Sequence, residues 1–555
     1  MKKKAFWIIT IILTILSLTA CGSPNPPPPS VTPSASGADA PQAGNDVNIS
    51  KPTQTSTQIP TETMVQPTPT ETQIPPTATS APIGLSRSNP FPSNEVANIP
   101  NWEVQVLEIQ RGADALLDIQ AANYFNNPPP YGMEYLSIKL RVKCLYDDDE
   151  EHIISDFDFD VTGDRAIRYT AGMAGVLSPE PNLYATLFAG GQTEGWATYL
   201  VSEGEGNFIL VADESWVFEE NNERYIALDP GASVTIPAEL SQINPSQNGR
   251  DRKTPVPFKE ILTTENWETS IVEVVRGAAA WSMVLEENQF NDPPKENHEY
   301  IAVKMNVRNI STEDVSQDIS SYFYNLTGSE NILYDLPSVV EPEPALDISL
   351  YPGGEYQGWV VFDHLIGETN LMFAFEETWS FESNVRYLAL DEGASLEIVP
   401  ELADISPTAL WNSRSDPAPM SEIVVTDNWE ISVSEVIRGA DAWNMVLAAN
   451  QFNDPPEDGF EYVAVKVKVR NIGTEDEAMN IDAYSFNTTG SAGVLHDAPS
   501  VVEPEPALSV YLFPGGEFEG WIIMQAAIDE TNLLLIYEDW YSFSDSNKRY
   551  LSLEN

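Results

Sequence analysis

The alternation of apolar and polar positions is sharpest near residue 463, where Val463, Val465, Val467 and Val469 interleave with Ala464, Lys466, Lys468 and Arg470. A period of two sets one series against a core and the other toward solvent, the pattern of a strand covered on one face. Ile301, Val303, Met305 and Val307 repeat it, as do Leu136, Ile138, Leu140 and Val142. Upstream of these runs the period changes. Ala442, Trp443, Val446 and Leu447, like Ala280, Trp281, Val284 and Leu285, recur at helical spacing and predict a short amphipathic helix. Asn-x-Pro-Pro phrases such as Asn291-Asp292-Pro293-Pro294 follow, and proline blocks its continuation. Trp281 and Trp443 read as core plugs, since the first copy has Leu116 at the equivalent place. Further on come a Gly-Gly turn, a strand opened by Gly358-Trp359 or Gly520-Trp521, and a last strand opened by Arg386-Tyr387 or Arg549-Tyr550.

The whole series starts at Trp102, Trp267 and Trp429, at intervals of 165 and 162 residues. Repeats of that length are complete domains, because solenoid units are far shorter. The chain therefore divides into folded domains at 99–240, 263–402 and 425–555, joined by linkers at 241–262 and 403–424. The linkers are polar and contain proline, which predicts limited independent motion. A Gly-Ala-Ser phrase at Gly231 and Gly393 has no third counterpart, so it is expected to be dispensable for closing a domain.

Many short strands with turn signals, and one early helix per copy, predict a mainly all-β chain of three tandem β-sandwiches. The passage from Glu461-Tyr462 through the Val-x-Val-x-Val-x-Asn run to Gly515-Gly516 and Gly520-Trp521 resembles the telokin-like, immunoglobulin-like domains of unknown function found in bacterial surface lipoproteins. The likeness covers most of each copy and implies immunoglobulin-like sandwiches, each with one short helix. It brings no catalytic residues. The first copy departs from it, with Cys144 where the others have Asn309 and Asn471.

The N-terminus supplies an address. Lys2, Lys3 and Lys4 precede an apolar stretch of signal-peptide length, which ends in Leu18-Thr19-Ala20-Cys21. That ending resembles the lipobox of bacterial lipoproteins, which implies removal of residues 1–20 and lipid attachment at Cys21. Several acyl chains hold a protein at a membrane far more firmly than one. Residues 21–98 are rich in Pro, Thr and Ser and poor in large apolar residues, the composition of a disordered tether. The expected location is extracytoplasmic, lipid-anchored to the bacterial cell membrane or outer surface.

Charge narrows the partners. A formal net charge of −56 repels nucleic acid and allows at most weak, diffuse association with divalent cations. The eight basic residues Lys139, Arg141, Lys143, Lys304, Arg308, Lys466, Lys468 and Arg470 lie on the outward faces of the alternating strands. They admit two readings, an anion-binding stripe or an ion ladder. In the first copy the ladder would pair them with Asp156, Asp158 and Asp160, on a strand that turns Phe157 and Phe159 inward. A calcium loop is a poor fit to these aspartates, since Val161 and Ile167 stand where such a loop needs Gly and Glu. The acidic turn at residues 147–151 reads as solvated loop. Cys144 shares a strand face with Leu140 and Val142, which predicts a buried, inert thiol.

No enzyme is expected. His152, His298, His364 and His496 match no zinc spacing, no nucleophile motif stands out, and neither a cofactor nor a metal site is indicated. The expected function is binding or adhesion, an array recognising a wall glycan, peptide or surface protein; the alternative is a spacer or assembly component of an envelope complex. A glycan-active enzyme is the weaker third. The ligand is not legible, and any specific site is expected where the copies differ, as at residues 147–160.

Overall fold

The computed structural model describes residues 82–213, 223–377, 384–538 and 548–554. All belong to the second of two compact units, Ala78–Asn555. Cys21, the signal segment and most of the Pro/Thr-rich stretch lie outside the described residues.

The chain is mainly β, with antiparallel sheets and the same element series three times. In the second repeat Leu262–Thr263, Trp267–Arg276, His298–Asn309 and Glu355–Leu365 form a four-stranded sheet. The alternation seen in sequence is real on its central strand: Ile301, Val303, Met305 and Val307 are buried, while Lys304 and Arg308 are partly exposed. Ala302 is buried too, because the helix Ala278–Glu287 covers the other face of that end of the sheet with Ala280 and Val284. Trp281 and Trp443 pack at the margins of these small clusters and are only partly buried. They are flanking contacts, not core plugs.

The recurrent glycines have steric reasons. Gly277 starts the helix at φ +61°, and a Cβ there would lie 2.8 Å from Glu299 Oε2. Gly358 passes so close to the strand-like segment at residues 345–346 that a Cβ would sit 2.6 Å from Leu346 Cα. The backbone of Trp359 reaches that segment from both sides, donating to Pro344 O and accepting from Leu346 N. The asparagine of Asn-x-Pro-Pro acts as a clamp. Asn291 Nδ2 donates to the helix carbonyl of Val284 and to Val340 O, while its Oδ1 accepts from Val340 N.

Two expectations fail here. Residues 156–158 are not strand: Asp156–Asp158 is a 3-10 turn capped by Ser155, with Asp158 bonded back to the Ser155 N–H and Phe157 turned out to solvent. The short-range side-chain bonds outcompete the alternating pattern. Residues 82–98, read as the end of the tether, also belong to the fold. Phe91 bridges the last strand of the first repeat at Ile226, and Arg87 has no exposed surface. Inside the expected linkers, Val256 and Ala418 make the same bridge to Leu388 and Leu551.

Sheets also run across the repeats. One six-stranded sheet orders Arg224–Ala227, Ile209–Ala212, Phe159–Thr162 and Ile167–Thr170 from the first repeat, then Asp347–Leu350 and Gln317–Ser320 from the second. A second such sheet joins Ile332–Tyr334 of the second repeat to Ser509–Leu512 of the third. The main cluster of buried apolar residues extends from Ala97 in the first repeat to Leu553 in the third.

Candidate functional site

The most organised polar chemistry lies at these two junctions. Each repeat carries Arg-x-x-Pro-x-Pro fifteen residues before its first Trp, at Arg87, Arg252 and Arg414. Phe91 and Val256, between the prolines, donate their N–H groups to Tyr225 O and Tyr387 O, each at 2.8 Å. That extra strand edge aims the arginine at the following repeat. Arg87 lies 4.0 Å from the Tyr351 ring centroid and 2.7 Å from Asp314. Arg252 lies 3.7 Å from the Phe513 ring and 2.7 Å from Asp476. The backbone N–H of each arginine also donates to the same aspartate, at 3.0 Å. Burial holds the Arg252 guanidinium below its ordinary pKa, against the opposing pull of Asp476. It stays charged, as arginine does in proteins.

The backbone closes around this pair. Ser349 opposes Arg168 and Leu350 opposes Ile167 at the first junction, with Tyr351 N–H donating to Ala166 O at 2.8 Å. Ile332 opposes Leu512 and Leu333 opposes Tyr511 at the second, with Phe513 N–H donating to Asn331 O at 2.8 Å. Asn331 Oδ1 accepts from Arg252 Nη1 at 2.8 Å, but Ala166 has no side-chain acceptor, so Arg87 Nη1 has no hydrogen-bond partner among the described residues. Asn309 and Asn471 brace the incoming strands by donating to Leu350 O and Leu512 O. Ala232 and Ala394 of the Gly-Ala-Ser phrases pack beside Tyr351 and Phe513 in the same small clusters.

The basic rows are ion-paired in part, through Arg141, Arg308, Lys466, Lys468 and Arg470 among the described residues, and in the first row the partner is not the aspartate row the sequence suggested. The strand Met133–Cys144 lies between Trp102–Arg111 and Gln192–Ser202 and makes no ladder with residues 156–160. Arg141 pairs with Glu194 at 2.6 Å, Arg308 with Glu268 at 3.4 Å, Arg470 with Glu430 at 3.3 Å, and Lys468 with Glu517 at 2.8 Å. Asp160 instead meets Arg168, which also reaches Asp213 and Glu223. With these carboxylates alongside, an anion-binding stripe is disfavoured.

The other candidates are scattered. His152 stacks on Tyr146 and bonds Asp148, whose carboxyl this hydrogen bond holds below its usual pKa. Cys144 is free and fully buried. Among the described residues no group of His, Cys, Asp or Glu is placed to hold a metal ion, and no helix is long and apolar enough to cross a membrane. A cleft of about 510 Å³ opens beside the second junction, lined by His298, Asp363, Pro506, Tyr511 and Phe518 among others. His298 Nδ1 stands 3.3 Å from Asp363 Oδ1 there, an arrangement that suits hydrogen bonding to a small polar group. Glu341 and Glu503 open Glu-Pro-Glu-Pro stretches at 341–344 and 503–506, and burial pushes their carboxyls up to about 7, against N–H donation from Val361 and Ile523.

Sequence reasoning missed Arg87, Arg252 and their partners Asp314 and Asp476. The signal was available. Each aspartate follows its repeat's first Trp by 47 residues, as Asp149 does in the first repeat, a constancy to match the arginines.

Comparison with known proteins places the third repeat. Residues 421–548 match a family model described as a domain of unknown function (DUF4352). No curated protein matches the chain. Similar solved structures include a candidate lipoprotein (ycdA) from Bacillus subtilis, at 13% identity and TM-score 0.20, covering 24% of this chain and only 38% of that one. The yjhA protein of Bacillus subtilis is 16% identical at TM-score 0.18, covering 25% of this chain and 99% of that one. An uncharacterized β-sandwich protein from Clostridium difficile is 14% identical at TM-score 0.18, covering 25% and 95% respectively.

Proposed function

We propose that the protein is a lipid-anchored extracytoplasmic spacer or assembly component, in which three immunoglobulin-like repeats are stiffened into one body. The observation that carries this reading is the pair of junctions, where strands of successive repeats share a sheet around a buried arginine. Repeats that bound ligands independently would not need strands paired across their boundaries. The anchor rests on the lipobox-like ending at Cys21 and the tether on composition. A second reading, binding of a small polar or glycan group, is favoured by the cleft at His298 and Asp363. Its lining offers no nucleophile paired with a base, so recognition fits it better than catalysis.

Pulsed dipolar spectroscopy between spin labels on the first and third repeats tests the main reading. One narrow distance is expected, and a broad distribution overturns it. Saturable retention of the protein on wall fractions, lost on Asp363→Ala, would move the assignment to binding.

A further inference from the structure

We propose that the two ends of the array are halves of a third junction, and that a second copy of this chain completes it head to tail. The idea rests on the spacer and assembly reading. Asp347–Leu350 and Ser509–Leu512 receive a strand from the repeat before them. Their counterpart in the first repeat, Tyr184–Leu187, pairs only with His152–Ser155 among the described residues. At the other end Ile167–Thr170 and Ile332–Tyr334 each reach into the next repeat. Their counterpart Leu495–Asp497 pairs only with Phe486–Thr489.

The side chains of a junction are in place on both free edges. Tyr351 and Phe513, beneath the arginines, are 0% and 2% exposed, whereas Phe188 at the same position in the first repeat is 55% exposed. Ile167 and Ile332 are each 6% exposed, whereas Val494 is 51% exposed. Arg414 occupies the place of the fully buried Arg87 and Arg252 but is exposed, and among the described residues it donates to Gly490 O. Asp149 occupies the place of Asp314 and Asp476 and is likewise exposed, without an ion pair among the described residues. Gly493 takes the left-handed position held by Ala166 and Asn331, whose carbonyls accept from Tyr351 and Phe513.

Superposing the internal pattern on these edges fixes the contact. Val494 of one molecule opposes Leu187 of the next, and Leu495 opposes Thr186. The Phe188 N–H donates to Gly493 O, while Arg414 lies over the Phe188 ring and pairs with Asp149. Unpaired strand edges with apolar side chains are templates for another strand, and here the complementary edge belongs to the same chain. The contact is heterologous, so it grows into a filament unless the rotation closes a ring. High net charge opposes the contact at low salt.

Disulfide trapping tests this on the full chain reconstituted in vesicles at about 0.15 M salt, an ionic strength that screens surface charge beyond roughly 8 Å. Thr186→Cys with Leu495→Cys in one chain should give an oxidised ladder of dimers, trimers and higher forms. Mixing the two single variants should give cross-linked dimers that do not extend. Arg414→Asp should cut the ladder at least tenfold, and mixing it with Asp149→Arg should restore a ladder in which the two variants alternate, since each then presents the charge the other's end needs. Both charged sites are exposed, so the fold is retained, and circular dichroism checks this. Absence of a ladder, or a ladder indifferent to Arg414→Asp, overturns the proposal. A chain with one narrow intramolecular distance but no ladder refutes only this inference, whereas a broad distance distribution refutes the spacer reading itself.

Discussion

Arg252 and Arg414 occupy the same position in successive repeats, yet their replacement by alanine should differ sharply in cost. Arg252→Ala removes the 2.7 Å pair with Asp476, the 3.7 Å contact over Phe513 and the 2.8 Å bond to Asn331. Hydrogen bonds to charged groups contribute about 1.5–3 kcal/mol each, and a desolvated cation over an aromatic ring about 2 kcal/mol. These contributions overlap, and Asp476, whose side chain is 21% exposed, recovers water once the arginine is gone. A net loss of about 3 kcal/mol at the second junction is the balance, at the low end for breaking a buried pair. Arg414→Ala, at an exposed site, should stay within about 0.5 kcal/mol. Native-state hydrogen exchange at the Phe513 amide, which bonds Asn331 O across the junction, reads the difference directly. Protection there should fall roughly a hundredfold in Arg252→Ala, since each 1.4 kcal/mol is a factor of ten. A double-mutant cycle with Asp476→Ala should return a coupling of about 2 kcal/mol. Equal costs at Arg252 and Arg414, or a coupling below about 0.5 kcal/mol, would refute the claim that the buried arginine locks the junction.

Ala166→Asn should stabilise the first junction by about 1 kcal/mol, because it offers Arg87 Nη1 the acceptor that Asn331 gives Arg252 and suits the positive φ of 55°; slower exchange at the Tyr351 amide is the readout, and faster exchange counts against it. Glu341 and Glu503 hold their protons more tightly folded, at about 7, than at the ordinary value of 4.5. Their contribution is therefore full below pH about 4.5 and is lost as pH rises through about 7; Glu341→Gln with Glu503→Gln should flatten that part of the stability profile in chemical denaturation, and an unchanged difference between variant and parent across the window sinks the assignment. Gly358→Ala should cost on the order of 3 kcal/mol, since its Cβ would meet backbone at 2.6 Å, and a melting temperature within 2 °C of the parent would contradict the close approach. Cys21→Ser should abolish fatty-acid labelling of the full chain, and persistent labelling would disprove the anchor.

Where a pattern reports local burial, the sequence was a good guide. Val463 to Val469 alternate because one sheet face meets the core, and Cys144 is buried because it continues the same series. Residues 156–160 misled because their alternation is a product of a capped turn followed by a strand: Phe159 enters the core, whereas Phe157 does not. The ladder expected against Asp156, Asp158 and Asp160 was not there to be found, since alternation states which face a side chain takes and not which strand lies beside it. Arg87 and Arg252 were hidden for a different reason. Their surroundings are rich in proline and polar residues, as linkers are, and their burial depends on residues more than 200 positions away.

The repeats have not been kept alike indiscriminately, and this gives the free edges their meaning. Asn309 and Asn471 correspond to Cys144, Glu341 and Glu503 to Ser178, and Gln317 to His152 and Met479. Divergence has thus reached buried braces and shielded carboxyls alike. At the first repeat's outer edge, however, Phe188 and Asp149 keep the chemistry of a junction, and Arg414 keeps it at the far end. An exposed aromatic ring beside an unpaired strand edge is a liability for a monomer. A surface with no partner gains solubility by replacing it with a polar residue. Its presence opposite an equally exposed arginine makes sense as one half of a contact that the chain already forms twice within itself.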